Sequence, residues 1–263
     1  MTTPKYTNKL ANTSVLIIGG TSGLGFGLAE ALIEHRVSKL YISSSRKERV
    51  DAAISRLQSA YPESTTKITG LPCNLGDEAT LESNIKTLFR GIDSKLDHVV
   101  FTAGDPLAAK PLQELDMQSM KQAGMVRFFA PFFVAKEAVG YLNAGQASSI
   151  TLTTGSVSER PIPNWTVVAS YASGLHGMTR GLALDLKPLR VNLISPGGVD
   201  TELWVNSLGD KDKAQAVFEV MKTRVATGEI GRVEDVVESY LYVLKDQNVT
   251  GSVIRSDGGI FLM

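Results

Sequence analysis

The chain has 263 residues, with 27 Lys plus Arg set against 27 Asp plus Glu. That length can bury a sizeable core, the balanced charge without a basic stripe excludes nucleic acid as an expected partner, and nothing approaches the ~20 apolar residues of a membrane span. The single Cys73 excludes an intrachain disulfide, and His35, His98 and His176 lack metal-ligand spacing, so no metal site is expected.

The polar opening MTTPKYTNKLANTS does not read as a secretory signal, and a cytoplasmic protein is expected. The run VLII predicts a first strand over 15–18 and a helix over 24–35, joined by IIGGTSGLGFG. A glycine loop in that place has a physical reason. Gly19 permits the tight turn, Gly23 lets backbone approach a diphosphate, and Gly25 lets the helix pack against the strand. With Thr21, Ser22 and Leu24, the loop places phosphates at a helix N-terminus, where free N–H groups favour anions. A second strand over 39–43 precedes a helix over 47–60. Where a carboxylate would hold the ribose 2′-hydroxyl of NAD, the chain has Ser43, Ser44, Ser45 and Arg46, followed by Lys47. Hydroxyls and a guanidinium suit a 2′-phosphate, which favours NADP(H) over NAD.

The pattern continues with a strand over 66–73 and a helix over 77–89, then a strand over 97–103 and a long helix over 115–142. A strand over 149–154 leads through RPIPNW to a helix over 166–186. A strand over 190–195, helices over 214–224 and 233–244, and a strand over 252–256 complete the chain. Strand–helix alternation with short links implies a parallel sheet covered on both faces, in one domain over 1–263.

These motifs, in this order, resemble the short-chain dehydrogenase/reductase family over nearly the whole length. GGTSGLG matches its TGxxxGxG apart from the leading threonine. Asn74 and Leu75 stand where the family's Asp-Val/Leu pair holds adenine, with an amide in place of the acid. Thr102, Ala103 and Gly104 stand where NNAG stabilises the central strand, Phe101 and Thr102 replacing the two asparagines. Pro196, Gly197, Val199 and Thr201 match the PGxxxT stretch on the nicotinamide side, and SDGG matches the last-strand signature. The resemblance implies a Rossmann-like doubly wound α/β fold, NADP(H) as cofactor, and a homodimer or homotetramer formed through the helices over 115–142 and 166–186.

The family's usual chemistry needs a serine and a tyrosine at the reacting carbonyl, a lysine that lowers the tyrosine pKa from ~10, and a relay asparagine. Aligning HGMTRGLALDL with the family helix puts Val168 in the tyrosine place and Ala172 in the lysine place; the other register puts Tyr171 and Leu175 there. Either way the lysine is gone. Thr154 takes the serine place, with Ser156 as runner-up. Arg127 takes the relay place, either as a structural partner of a carbonyl or carboxylate or as a substrate clamp. Tyr171 lies one turn beyond Val168, within reach of the cleft or as a packing residue. Trp165 offers a flat apolar wall or packs under its loop. Arg127, Thr154, Trp165 and Tyr171 are therefore the candidate catalytic residues, while His176 reads as structural and Glu159 and Asp200 as solvent-facing.

The combination also resembles a divergent fungal branch that acts on prenylated indole alkaloids, joining NADPH-dependent iminium reduction to a Diels–Alder closure. That resemblance rests on LIIGGTSG, the FTA turn, MVRFFAPFFVAK, the PxPxW loop and MTRGLALDLKP. It implies a hydrophobic polycyclic substrate. The branch's aspartate three residues before the tryptophan is Ile162 here, and Asn164 offers only neutral hydrogen bonds. Three activities fit: reduction of an iminium or similarly activated acceptor, a non-redox closure on a cofactor scaffold, and non-catalytic nucleotide sensing.

Overall fold

The computed structural model describes residues 5–107 and 109–263. Seven parallel strands form one sheet in the order β3-β2-β1-β4-β5-β6-β7. They are β1 Ser14–Ile18, β2 Lys39–Ser44, β3 Lys67–Pro72, β4 His98–Phe101, β5 Ser149–Thr153, β6 Arg190–Pro196 and β7 Val253–Ser256. The order reverses between β1 and β4, which opens a crevice at the carboxyl ends of those two strands.

Both faces are buried along β1, β4, β5 and β6, and along β2 between its ends, while β3 and β7 at the two sheet edges are part-exposed; side chains along the strands alternate between two cores. Leu16 and Ile18 of β1 join Val99, Phe101 and Leu193 in one core, with α3 Leu81–Arg90, α5 Ala130–Ala138 and α6 Thr166–Asp185 packed above. Val15 and Ile17 join Val100 and Ile194 in the other, covered by α1 Gly23–Glu34, α2 Lys47–Ala60 and α9 Val233–Lys245. Buried Arg190 fixes α9 to the sheet by donating to the carbonyls of Val243 (2.6 Å) and Leu244 (3.3 Å), at the end where helix carbonyls lack partners.

The helix predicted over 115–142 is three pieces: α4 Met117–Gly124, a π-helical turn Met125–Phe129, and α5. Pro131 has no N–H to return to the Arg127 carbonyl, which removes one α-helical bond where the widened turn forms. Asp77–Thr80, expected in α3, instead form a turn in which Asp77 takes the Thr80 hydroxyl (2.7 Å). Two further helices, α7 Glu202–Leu208 and α8 Lys211–Lys222, follow β6.

At the amino end of the central strand β4, away from the crevice, buried His98 sits with Nδ1 2.9 Å from Ser149 Oγ. Burial pushes its imidazole pKa down to about 4, from 6.5 when free. The folded protein therefore holds the neutral ring while the unfolded chain binds a proton below 6.5. Stability present above pH 6.5 declines as pH falls towards 4, by about 3 kcal/mol once below it. Denaturant midpoints measured across this range should fall more steeply for the wild type than for His98→Asn.

Candidate active site

The site is assembled where the loops after β1, β4, β5 and β6 converge. Gly19 has φ +96°, and a Cβ on it would stand 2.4 Å from the Ala103 nitrogen. A Cβ on Gly25 would stand 2.3 Å from the Gly19 oxygen and 2.5 Å from Thr102 Oγ1. The glycine loop is thus pressed against the Thr102–Ala103 turn, and Thr102 N–H donates to the Ile18 carbonyl (2.8 Å). The Ser43 carbonyl accepts the N–H groups of Gly19 (2.8 Å) and Gly20 (3.2 Å).

The chemistry of this cradle suits an anion. Ser22 precedes α1 without capping it through its side chain. The Gly23 N–H is held by Glu202 Oε2 at 3.1 Å, a carboxylate oxygen standing where a phosphate oxygen would sit. Thr21, Ser22, Gly23 and Leu24 present the α1 N-terminus, and the Thr201 methyl lies over Gly23.

The end of β2 departs from expectation at Ser43. It is fully buried within the sheet, so it serves through its carbonyl, while the part-exposed Ser44 and exposed Ser45 and Arg46 remain for a 2′-phosphate. Ser44 O accepts the Cys73 N–H (2.8 Å), which brings Asn74 beside it. Asn74 Oδ1 accepts the Gly76 N–H (3.0 Å) in a tight turn; a carbonyl oxygen retains a second lone pair for an adenine amine. Leu75 is a core residue. Pro196 and Val199 are buried, and the Val199 carbonyl takes the Trp204 indole N–H (3.0 Å). Gly197 packs on Asp257, where a Cβ would meet the Asp257 Cα at 2.8 Å.

Thr154 donates its hydroxyl to the Ala172 carbonyl (2.9 Å), which sets the Ala172 turn of α6 against the end of β5. Val168, one turn earlier on the same face, is buried. No lysine occurs in α6. The Tyr171 hydroxyl donates to the Met120 carbonyl (3.0 Å), and its ring packs on Phe128 and Phe129 at centroid distances of 5.2 and 5.9 Å. Tyr171 is thus engaged at the seam between α6 and α4. In either register the two positions stand one turn apart, Val168 with Ala172 or Tyr171 with Leu175, and neither pair supplies a lysine.

Arg127 leaves the π-helical turn to lie flat over Gly104, where a Cβ would come within 3.0–3.2 Å of its guanidinium. It donates to the Asp105 carbonyl, and its Nε stands 3.1 Å from Asp105 Oδ1. The two facing atoms are buried and make no hydrogen bond, though the side chains are part-exposed: burial pushes the Asp105 carboxyl pKa up and the charge of Arg127 offsets part of the rise. The Arg127 pairing expected as one of two roles is therefore present, and its carboxylate partner is Asp105.

Trp165 precedes α6, half-exposed, and its backbone N–H donates to the Ile162 carbonyl (3.2 Å). The loop before it is tied to the loop after β4 by Lys110 N–H on the Asn164 carbonyl (3.0 Å). Ser156 starts a short 3-10 turn, and His176 Nε2 lies 3.0 Å from Ser158 Oγ. Glu159 is exposed, as expected, and forms a two-point ion pair with Arg255 at 3.1 and 2.5 Å, which holds its carboxyl below the usual range.

Asp105 and Glu202 were missed by sequence reasoning. The signal for Asp105 was the arginine itself, a cation in the apolar run MVRFFAPFF that needed a carboxylate. The signal for Glu202 was a lone acid directly after PGxxxT.

A family model described as an SDR-like Rossmann domain matches residues 6–263. The chain is 47% identical to the short-chain dehydrogenase/reductase fsr5 of Gibberella fujikuroi, over 98% of each chain. It is 39% identical to the short-chain dehydrogenase/reductase malC of Malbranchea aurantiaca, over 96% of each. Among solved structures it is similar to the MalC reductase/Diels-Alderase of that organism, with 38% identity and a TM-score of 0.91 over 98% of this chain and 99% of that one. A small-chain dehydrogenase in complex with NADPH superposes with a TM-score of 0.76 at 27% identity, over 96% of this chain and 100% of the other.

Proposed function

The chain belongs to the short-chain dehydrogenase/reductase family, and from that premise we propose an NADP(H)-dependent reductase of secondary metabolism whose acceptor is an iminium or similarly activated group in a hydrophobic polycyclic substrate. The observation that supports this reading is what stands at the usual proton-donor place: the Ala172 carbonyl takes the Thr154 hydroxyl, α6 carries no lysine, and its one phenol, Tyr171, is bonded to Met120.

The residues present fit the cofactor. Gly23 and Leu24 would hold the diphosphate, Ser44, Ser45 and Arg46 the 2′-phosphate, Asn74 the adenine, and Pro196–Thr201 the nicotinamide side. When bound, NADPH supplies the hydride, and its addition to an iminium carbon neutralises an existing charge instead of creating an alkoxide. The chain's own task is then orientation and exclusion of water. Trp165 and Val168 supply apolar walls. Thr154 and Ala172 fix the spacing between β5 and α6. The Arg127–Asp105 pair presents a dipole at the end of β4.

The likeness to the MalC reductase/Diels-Alderase favours one extension, in which the shaped pocket also promotes closure of the reduced product. A cytoplasmic homodimer or homotetramer fits the exposed Phe132, Val139 and Leu184 on α5 and α6.

Purified protein with NADPH, offered cyclic iminium ions and matched ketones, tests the reading. Loss of dihydronicotinamide absorbance with the iminium ions alone supports it, and Tyr171→Phe should keep that rate within about twofold while losing about 1 kcal/mol of stability. Product change without NADPH loss would identify a non-redox cyclase. Binding alone would identify a sensor.

A further inference from the structure

The Gly23–Glu202 contact joins residues 179 positions apart in sequence and bridges the glycine loop to the first residue of α7. Its place gives it consequence. The first N–H groups of α1 have no partner inside the helix, and the Ser22 side chain does not supply one. They carry the positive end of the helix dipole, so an anion there is stabilised. Glu202 Oε2 takes the Gly23 N–H at 3.1 Å, and Thr201 packs its methyl on Gly23, where a Cβ would meet it at 3.3 Å. Glu202 is exposed, and among the described residues no lysine, arginine or histidine forms an ion pair with it. The helix N-terminus is therefore its main electrostatic partner.

A cofactor diphosphate needs that same N–H group, and it arrives negatively charged. A carboxylate and a phosphate oxygen cannot share one N–H at contact distance without like-charge repulsion. We propose that Glu202 is a displaceable anion: it caps α1 in the free protein, is expelled by the cofactor diphosphate, and so sets nucleotide affinity below what the glycine loop alone would give. The competition works as a tax on binding, because the cofactor must first break a contact that the free protein makes. This inference rests on the cofactor pocket and is independent of the acceptor that the enzyme reduces.

The test is the dissociation constant of NADPH, read by fluorescence, for the wild type, Glu202→Gln and Glu202→Ala. Glutamine keeps the shape and removes the charge; alanine removes both. Both variants should bind NADPH about three- to tenfold more tightly, and the gain should shrink in about 1 M salt, where the Debye length is about 3 Å. Inorganic pyrophosphate, competing with NADPH, should gain by a similar factor, which locates the effect at the diphosphate. Because Glu202 is exposed, thermal midpoints should stay close to wild type and verify the fold. Affinity of Glu202→Gln within twofold of wild type, or weaker, would overturn the proposal. So would a gain for NADPH that pyrophosphate does not share.

Discussion

Gly19→Ala is expected to lose about 2–6 kcal/mol of stability and at least tenfold in NADPH affinity. Two separable costs add. At φ +96° an L side chain is strained by about 1–3 kcal/mol. The new methyl would also stand 2.4, 2.6 and 2.7 Å from the Ala103 nitrogen, the Ala103 Cα and the Thr102 carbonyl carbon, all backbone atoms that cannot rotate aside. Overpacking of that kind costs about 1–3 kcal/mol more. Relief requires the loop after β1 to part from the loop after β4, and that junction is the floor of the cofactor crevice. Gly145→Ala is the control. Gly145 has φ +110° but nothing within 4 Å of the added Cβ, so it should show the strain without the clash and leave NADPH binding unchanged. Denaturant unfolding and NADPH titration of both variants check the comparison.

Arg127→Met should cost about 2–4 kcal/mol, because it leaves the Asp105 carboxylate partly buried without its cation. Both side chains are about one-quarter exposed, at 25% and 28%, which puts the loss below that of a fully buried pair. The pH dependence has a definite sign. Burial already raises the Asp105 pKa, and removing Arg127 raises it further. A carboxyl with a raised folded pKa contributes stability that is present below its unfolded value of ~3.9 and is lost as pH rises through the folded value. The deficit of Arg127→Met should therefore be smaller at about pH 5 than at about pH 8. Combining it with Asp105→Asn should cost less than the sum of the single changes, with a coupling of about 1–3 kcal/mol. NADPH affinity of Arg127→Met should stay within about threefold, since Arg127 lies on Gly104 and not on the glycine loop, whereas turnover of the acceptor should fall at least tenfold. Strict additivity would show that the pair is not coupled, and full turnover would confine Arg127 to packing.

The sheet was legible because its inner strands are buried on both faces, so apolar runs such as VLII and HVVF stand out from the amphipathic helices between them. The α2 bounds agree at both ends. The breaks came where tertiary bonds override local pattern. Pro131 was visible in sequence, but its outcome, a π-helical turn that lifts Arg127 over Gly104, depends on contacts with the loop after β4. The glycine loop was legible because each glycine answers a backbone approach that no other residue permits. Ser43 was misplaced because it still belongs to β2, where both sheet faces are covered and Leu40 to Ser43 are all buried. Asp105 and Glu202 lie 22 and 179 residues from their partners, and no local spacing rule pairs residues across that distance. Absence was legible too: with no lysine anywhere in α6, the usual ammonium is missing under either alignment.

The most direct check is a crystal structure of the NADP⁺ complex, read at the nicotinamide ribose. We expect the diphosphate on the Gly23 and Leu24 amides, Thr154 and Ala172 beside the ribose, and neither a lysine ammonium nor a tyrosine hydroxyl within hydrogen-bond reach of it. Tyr171 turned away from the Met120 carbonyl to face the ribose, with a lysine ammonium next to its phenol, would contradict the account and make the protein a conventional carbonyl reductase.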